Sequence, residues 1–347
     1  MTLSDAVKKA ELIQAGEIHI PRNIVLPWFP SKSVSGPDAG TPSFVFSFGN
    51  TRVKLCVNRR KESEFKLREK NGTKSNFQIY KNSDLYLDNV RIVPILLHAP
   101  NQAFINIGDE CVYDCKFCAI NDVEKHRKKS HNDRELSKLI LKASKESSFE
   151  SAAITSGVSA VPGKTIARMV RIIQEARDAL GGVQIGVEPY TTSTTDIDKL
   201  KDAGATELKL NIQTYDKKIF KKICPQLDFD GILNAIKYGV SVFGRNKVCS
   251  NIIVGLGETD KNVLDGVEQL AKFGAVATIR SIRINEHNRR KISNVLGCRA
   301  ASVRGERLVR LALEQKKILK KYRLTTSKFK TMCHKCGCCD IVPGLDV

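Results

Sequence analysis

From residue 103 onward, short apolar runs alternate with longer amphipathic ones, and few folds tolerate that rhythm. The apolar runs are "AFINI" (103–107), "SAAIT" (151–155), "VQIGVE" (183–188), "ELKLNIQ" (207–213), "KVCSNIIVG" (247–255) and "VATIRSIRI" (276–284). Amphipathic stretches at 133–147, 165–179, 195–203, 228–238 and 260–273 separate them, and one more spans 302–321. Strands and helices in this alternation pack as parallel β/α units of an α/β protein. Six units make a barrel or part of one. In such folds the chemistry sits on loops at the carboxyl ends of the strands.

The chain ahead of that region reads differently. Ser4 is the expected N-cap of a helix over "DAVKKAELIQA", and Gly16 its stop. Residues 17–50 carry Pro, Gly and Ser with little periodicity, and 51–100 alternate in places, as strands around a basic loop do. The expected organisation is an N-terminal extension (1–100), the barrel (101–300) and a C-terminal helix with a Cys-rich segment (301–347). With 347 residues, one barrel absorbs most of the length, and a hydrophobic content of 41% with a single Trp points to a mainly aliphatic core. No run reaches the roughly 20 apolar residues a membrane span needs. "MTLSDAVKKAELIQAG" lacks an apolar signal core, so the expected location is the cytoplasm. The net charge of +20 is concentrated: residues 51–82 hold 10 Lys/Arg against 3 Glu, and 280–330 hold 16 against 3. That surplus is either a solvated face or a surface that docks an acidic partner.

Eleven cysteines in a cytoplasmic chain point to metal ligation rather than disulfides. Three stand in "CVYDCKFC" as Cys111, Cys115 and Cys118, on the loop after the first barrel strand. Three thiolates suit an iron–sulfur cluster and leave one iron of a four-iron cluster open to a small chelating molecule. Structural zinc prefers four closed ligands, and the x3–x2 spacing fits it poorly. Four more thiols, Cys333, Cys336, Cys338 and Cys339, stand in "CHKCGCCD" near the end, where zinc and a second iron–sulfur cluster both remain open. His334 within that run reads as solvated. Cys56, Cys224, Cys249 and Cys298 stand alone and read as buried small hydrophobes.

"CVYDCKFC" resembles the signature of the radical S-adenosylmethionine (SAM) superfamily. The resemblance implies a partial (β/α)6 TIM-type barrel, here with an N-terminal extension and a Cys-rich tail. It also implies a [4Fe-4S] cluster on Cys111, Cys115 and Cys118 whose open iron binds SAM and supplies a 5′-deoxyadenosyl radical. Candidate SAM contacts follow at strand ends: Thr155, Ser156 and Gly157, then Glu188 and Asn211. "NIIVGLGET" adds Gly255, Gly257 and Glu258, and Arg283 and Asn285 end the sixth strand. Each is also ordinary strand-end or turn chemistry when taken singly.

"LNIQTYDKKIFKKICP" (210–225) resembles the fourth strand and following loop of biotin synthase and lipoyl synthase, which place sulfur at unactivated carbons. The tail cysteines depart from ordinary lipoyl synthase and resemble the two-component, biotin-synthase-related lipoyl synthases. This implies a second, auxiliary [4Fe-4S] cluster folded over the barrel mouth as sulfur donor. The implied partners are an acidic lipoyl carrier domain bearing octanoyl-lysine, a paralogous partner synthase, and an electron donor such as ferredoxin. Another cofactor-biosynthesis enzyme of biotin-synthase type, a radical SAM enzyme of RNA modification, and a two-cluster electron carrier are the alternatives. No RNA-binding module is recognisable, so nucleic acid is not the expected partner.

Overall fold

The structure, a computed structural model, describes residues 3–32, 36–37, 40–60, 62–73, 75–108, 110–122, 132–161, 163–286, 288–297 and 301–347. Helix α1 (Leu3–Ala15) starts one residue ahead of Ser4 and stops at Gly16, which takes φ 73°, the left-handed conformation glycine adopts without penalty. Seven strands follow: β1 (Glu17–His19), β2 (Ser31–Lys32), β3 (Pro42–Phe48), β4 (Thr51–Asn58), β5 (Phe65–Glu69), β6 (Phe77–Lys81) and β7 (Asp84–Val93). They order as β2-β3-β4-β1-β5-β6-β7, and β7 pairs back onto β3, closing a small barrel. The first three strands fall where no periodicity announced them. Phe44, Phe46, Phe48, Phe65 and Phe77 fill the barrel together with Val53, Leu55, Leu67, Ile79 and Val90, so aromatic side chains are interleaved with the aliphatic ones here.

The expected parallel barrel follows. Its strands are β8 (Gln102–Asn106), β9 (Ser151–Thr155), β10 (Gln184–Glu188), β11 (Glu207–Lys209), β12 (Val248–Val254) and β13 (Val276–Ser281), ordered by sequence in one parallel sheet. Between them run α2 (Asp133–Ala143), α3 (Lys164–Leu180), α4 (Thr194–Asp202), α5 (Lys217–Ile223), α6 (Phe229–Phe243) and α7 (Asp260–Phe273). Then come α8 (Arg289–Leu296), α9 (Gly305–Lys321) and α10 (Met332–Cys336). Side chains set the helix starts: Asn132 and Glu135 form a capping box on α2, and Thr259 caps α7. α5, α8 and α10 were not legible in the sequence.

β11 stops at Lys209, short of the expected 213. Asn211 explains this, because its Oδ1 accepts from the Asn251 amide at 3.0 Å in place of a ladder carbonyl. Gln213 then turns to φ 64° before bridging to Ile252. β13 stops at Ser281 because Arg283 reaches the other way, donating to the Gly16 and Lys54 carbonyls at 3.2 and 3.1 Å.

α1 joins the two barrels. A side chain at Gly305 would come within 2.9 Å of the Glu11 amide, so α9 packs backbone to backbone on α1. Lys9 of α1 is fully buried in an ion pair with Asp346 at 2.6 Å and also donates to the Gly337 carbonyl. This pair clasps the C-terminal tail between the small barrel and the large one. No helix among the described residues is long and apolar enough to cross a membrane.

Candidate functional site

Cys111, Cys115 and Cys118 lie on the loop after β8, at the carboxyl end of the parallel sheet. Hydrogen bonds from several elements fix this loop. Asn121 brackets Cys111, donating to its carbonyl at 2.8 Å and accepting from its amide at 3.2 Å. Asn288 donates to the Phe117 carbonyl at 2.9 Å, and Lys291 pairs with Asp122 at 2.7 Å. Gly157 lets the loop settle on β9, since a Cβ there would lie 2.2 Å from the Glu110 carbonyl oxygen. Cys224, expected to be an isolated apolar filler, is buried as expected but touches the site. Its thiol donates to Cys115, which together with other neighbours holds the Cys115 thiol below its ordinary pKa. Burial pushes the Cys118 thiol up to about 11. Cys298 lies outside the described residues.

A cavity of about 220 Å³ opens above these thiols. Thr155, Ser156, Gly157, Glu188, Asn211 and Arg283 all line it, as the strand-end reading expects. Gly255 and Glu258 do not. Glu258 turns inward, accepting from the Gly255 and Leu256 amides at 2.9 and 2.8 Å and pairing with Arg307 at 2.8 Å, and so closes the turn after β12. Gly255 and Gly257 take φ values of 101° and 97° to make that turn. Asn285 holds the Pro37 carbonyl. Among the lining residues that sequence reading passed over is Asn251, whose Oδ1 is buried there without a hydrogen-bond partner, an acceptor aimed at a donor-bearing ligand. The family motif was read from its glycines, and nothing local marked this Asn.

The tail thiols line a second cavity of about 320 Å³. They reach it from the opposite end of the barrel, not over the mouth. Glu207, the first residue of β11, accepts from the Lys330 and Thr331 amides at 2.8 and 2.9 Å and from the Thr331 hydroxyl at 2.6 Å. Gln102, the first residue of β8, clamps the Met332 backbone with both halves of its amide. Met332 is held at φ 56°, a conformation rare for side chains of its size. In mid-strand β10, Gly186 leaves the space the tail occupies: a Cβ would lie 2.1 Å from Thr331 Oγ1. The tail therefore plugs the amino-terminal end, and Cys333, Cys336, Cys338 and Cys339 face the lumen. His334 is buried rather than solvated. It meets Thr278 at 3.2 Å and packs on Phe329, and burial pulls its pKa down to about 4.

The two cavities share Gly36, Pro37, Thr155, Glu188, Arg280 and Arg283 as walls. Cations crowd the second one. Arg280 donates to Cys333 Sγ at 3.2 Å and pairs with Asp340 at 2.7 Å. Lys209 donates to the same sulfur at 3.2 Å and pairs with Glu188 at 3.1 Å. Lys54 contacts His98 Nδ1 at 3.2 Å on the facing wall. The Cys338 thiol and other neighbours bring Cys336 down to about 7. No group of three or more His, Cys, Asp or Glu side chains among the described residues is gathered as a ready-made metal-ion site. The fit is chemical: three thiols around a cavity with an unpartnered acceptor suit an iron–sulfur cluster and a cationic chelating ligand. Four thiols among Lys54, Lys209, Arg280 and Arg283 suit an anionic thiolate cluster.

Residues 105–270 match the Radical SAM superfamily, and the chain carries a radical SAM domain. It is 24% identical over 189 residues to a lipoyl synthase of Picrophilus torridus, covering 51% of this chain and 64% of that protein. It is 27% identical over 155 residues to a biotin synthase of Geotalea uraniireducens, covering 43% and 45%. The chain thus spans less than two thirds of either relative. A solved methylornithine synthase superposes with a TM-score of 0.51 at 21% identity, covering 62% of this chain and 63% of that one, and shares the fold.

Proposed function

With a radical SAM domain as premise, we propose that this chain is a sulfur-inserting enzyme of lipoyl-synthase type acting on an octanoyl-lysine carrier. The observation that carries the reading is the approach of two thiol sets from opposite ends of one barrel to cavities with common walls. When bound to Cys111, Cys115 and Cys118, a [4Fe-4S] cluster with SAM supplies a carbon-centred radical able to take a hydrogen atom from an unactivated chain. The chain's own residues do the rest. Thr155, Ser156, Gly157 and Asn251 line the cavity that receives SAM, and Glu188 offers a carboxylate to a cationic group there. Cys333, Cys336, Cys338 and Cys339 would hold the second [4Fe-4S] cluster, with Lys209 and Arg280 fixing Cys333.

Leu97, Phe104, Ile105, Leu136 and Leu139 give the second cavity an apolar wall that suits an aliphatic chain. An octanoyl chain has no acidic proton near its middle, so positioning, rather than acid–base chemistry, is what the protein must supply. The basic segments 51–82 and 280–330 suit an acidic carrier domain. A ferredoxin-type donor would deliver the electron, and a paralogous synthase would complete the pair of sulfur insertions.

The test is anaerobic reconstitution of the wild type and of a variant with all four tail cysteines changed to Ala. Iron and sulfide are counted, and an octanoyl-lysine peptide is followed by mass spectrometry. Expected are about four fewer irons in the variant, retained SAM cleavage and no added sulfur. An unchanged product would remove the tail from the chemistry. A salt-dependent shift of transfer RNA, with no sulfur added to the peptide, would move the reading to RNA modification.

A further inference from the structure

Lys209 is the only residue contacting both a SAM-cavity carboxylate and a tail thiol in the hydrogen bonds and ion pairs found among the described residues. Its side chain is 1% exposed, and its ammonium lies 3.1 Å from Glu188 Oε1 and 3.2 Å from Cys333 Sγ. Strand pairing puts it there: Gly186 is level with Glu207 and Val187 with Leu208, so Lys209 follows alongside Glu188. Its alternation phase matches Glu207, whose side chain also points into the lumen. Asn211 donates to the same Glu188 oxygen at 2.7 Å and fixes the carboxylate toward Lys209.

We propose that Lys209 is a positioning residue that couples the two centres, so that filling the SAM cavity and the state of Cys333 are not independent. The physical reason is competition for charge. A half-buried carboxylate and a half-buried sulfur share one buried ammonium. A cationic ligand that approaches Glu188 satisfies part of the carboxylate's demand and leaves Lys209 more strongly held by Cys333. Removing the sulfur conversely leaves Lys209 wholly to Glu188, which then competes with the ligand. Coupling of this kind is reciprocal and commonly reaches 5- to 150-fold in affinity. The inference rests on reading the 220 Å³ cavity as the SAM site. It does not require that the tail hold iron.

The test is a thermodynamic cycle on the full anaerobic chain, with SAM affinity read by equilibrium dialysis without reductant, so that no turnover enters. Cys333→Ala in the wild-type background should weaken SAM binding by about fivefold or more. In the Lys209→Met background the same change should alter binding less than twofold. Lys209→Arg, which keeps the charge, should restore most of the effect. A half-buried Glu188 left without its countercharge in Lys209→Met endangers folding, so the cycle is repeated with Lys209→Met/Glu188→Gln, which leaves no unpaired charge. There Cys333→Ala should again have no effect. Equal effects of Cys333→Ala with and without Lys209, or no effect in either, would overturn the coupling while leaving the SAM site intact. Absence of SAM binding in the wild type would sink the site reading and the coupling together.

Discussion

The clasp between Lys9 and Asp346 offers the sharpest check on how the tail is held. Both side chains are 0% exposed and 2.6 Å apart. Asp346 also accepts from the Thr51 hydroxyl at 2.7 Å and the Val342 amide at 2.8 Å, and Lys9 donates to the Gly337 carbonyl. Lys9→Met would leave a buried carboxylate with two neutral donors, and Asp346→Asn would leave a buried ammonium with one strong acceptor. Removing one member of such a pair costs about 3–5 kcal/mol, because the survivor stays desolvated without its countercharge. The double change Lys9→Met/Asp346→Asn leaves no charge; the Asn oxygen can accept from the Val342 amide while its NH2 donates to the Thr51 hydroxyl, which turns to accept. Its cost should be about 1–2 kcal/mol, the scale of the hydrogen bonds lost. The assay is urea unfolding followed by far-UV circular dichroism for all four proteins, with midpoints compared at a common slope. The expected signature is a double variant more stable than either single, an interaction of at least about 4 kcal/mol from these costs. Single variants within about 1 kcal/mol of wild type, or additive costs, would refute the view of this pair as a buried lock.

Other outcomes follow from the same geometry. Gly157→Ala should push the cluster loop off β9 at a cost of about 1–3 kcal/mol, and the checking measurement is iron retained after reconstitution beside an unchanged circular dichroism spectrum. Gln102→Leu should strip the clamp from the Met332 backbone, cost about 2–3 kcal/mol and speed trypsin cleavage near Lys335. Asp260, partly desolvated but paired with Arg307 and Arg310, sits below the ordinary carboxylate pKa. A carboxylate lowered by folding contributes stability that is whole above about pH 4 and is lost as pH falls. Asp260→Asn should therefore flatten the acid limb of stability against pH, and a limb that stays as steep would show that the Arg pairs contribute nothing.

The residues that mattered most differ in how far they could be seen in advance. The β/α rhythm was legible because strand and helix periods are local, and four of the six strands were placed within a residue of their ends. β13 ended three residues short of expectation, and β11 stopped early because Asn211 borrowed the amide of a residue forty positions away. Cys111, Cys115 and Cys118 were legible because eight contiguous residues carry them. Asn251 was missed because an unpartnered oxygen is a property of its surroundings. Glu258 had the right position in the motif, yet its carboxylate serves the turn and Arg307 rather than the cavity.

Local sequence alone determined the parallel barrel, the end of it that carries the signature loop, and the presence of two thiol groups. Only tertiary structure decided that those groups meet through one lumen from opposite ends. Lys209 and Cys333 are 124 residues apart, and Lys9 and Asp346 are 337 apart. No periodicity or spacing records such pairs. The nearest trace was Gly186, a missing side chain in a strand, which says that something approaches closely without saying what. Closure of the small barrel was hidden for the same reason: β3 meets β4 through a local hairpin but β7 only across a long stretch of chain, and its pattern has meaning only once both partners are in place.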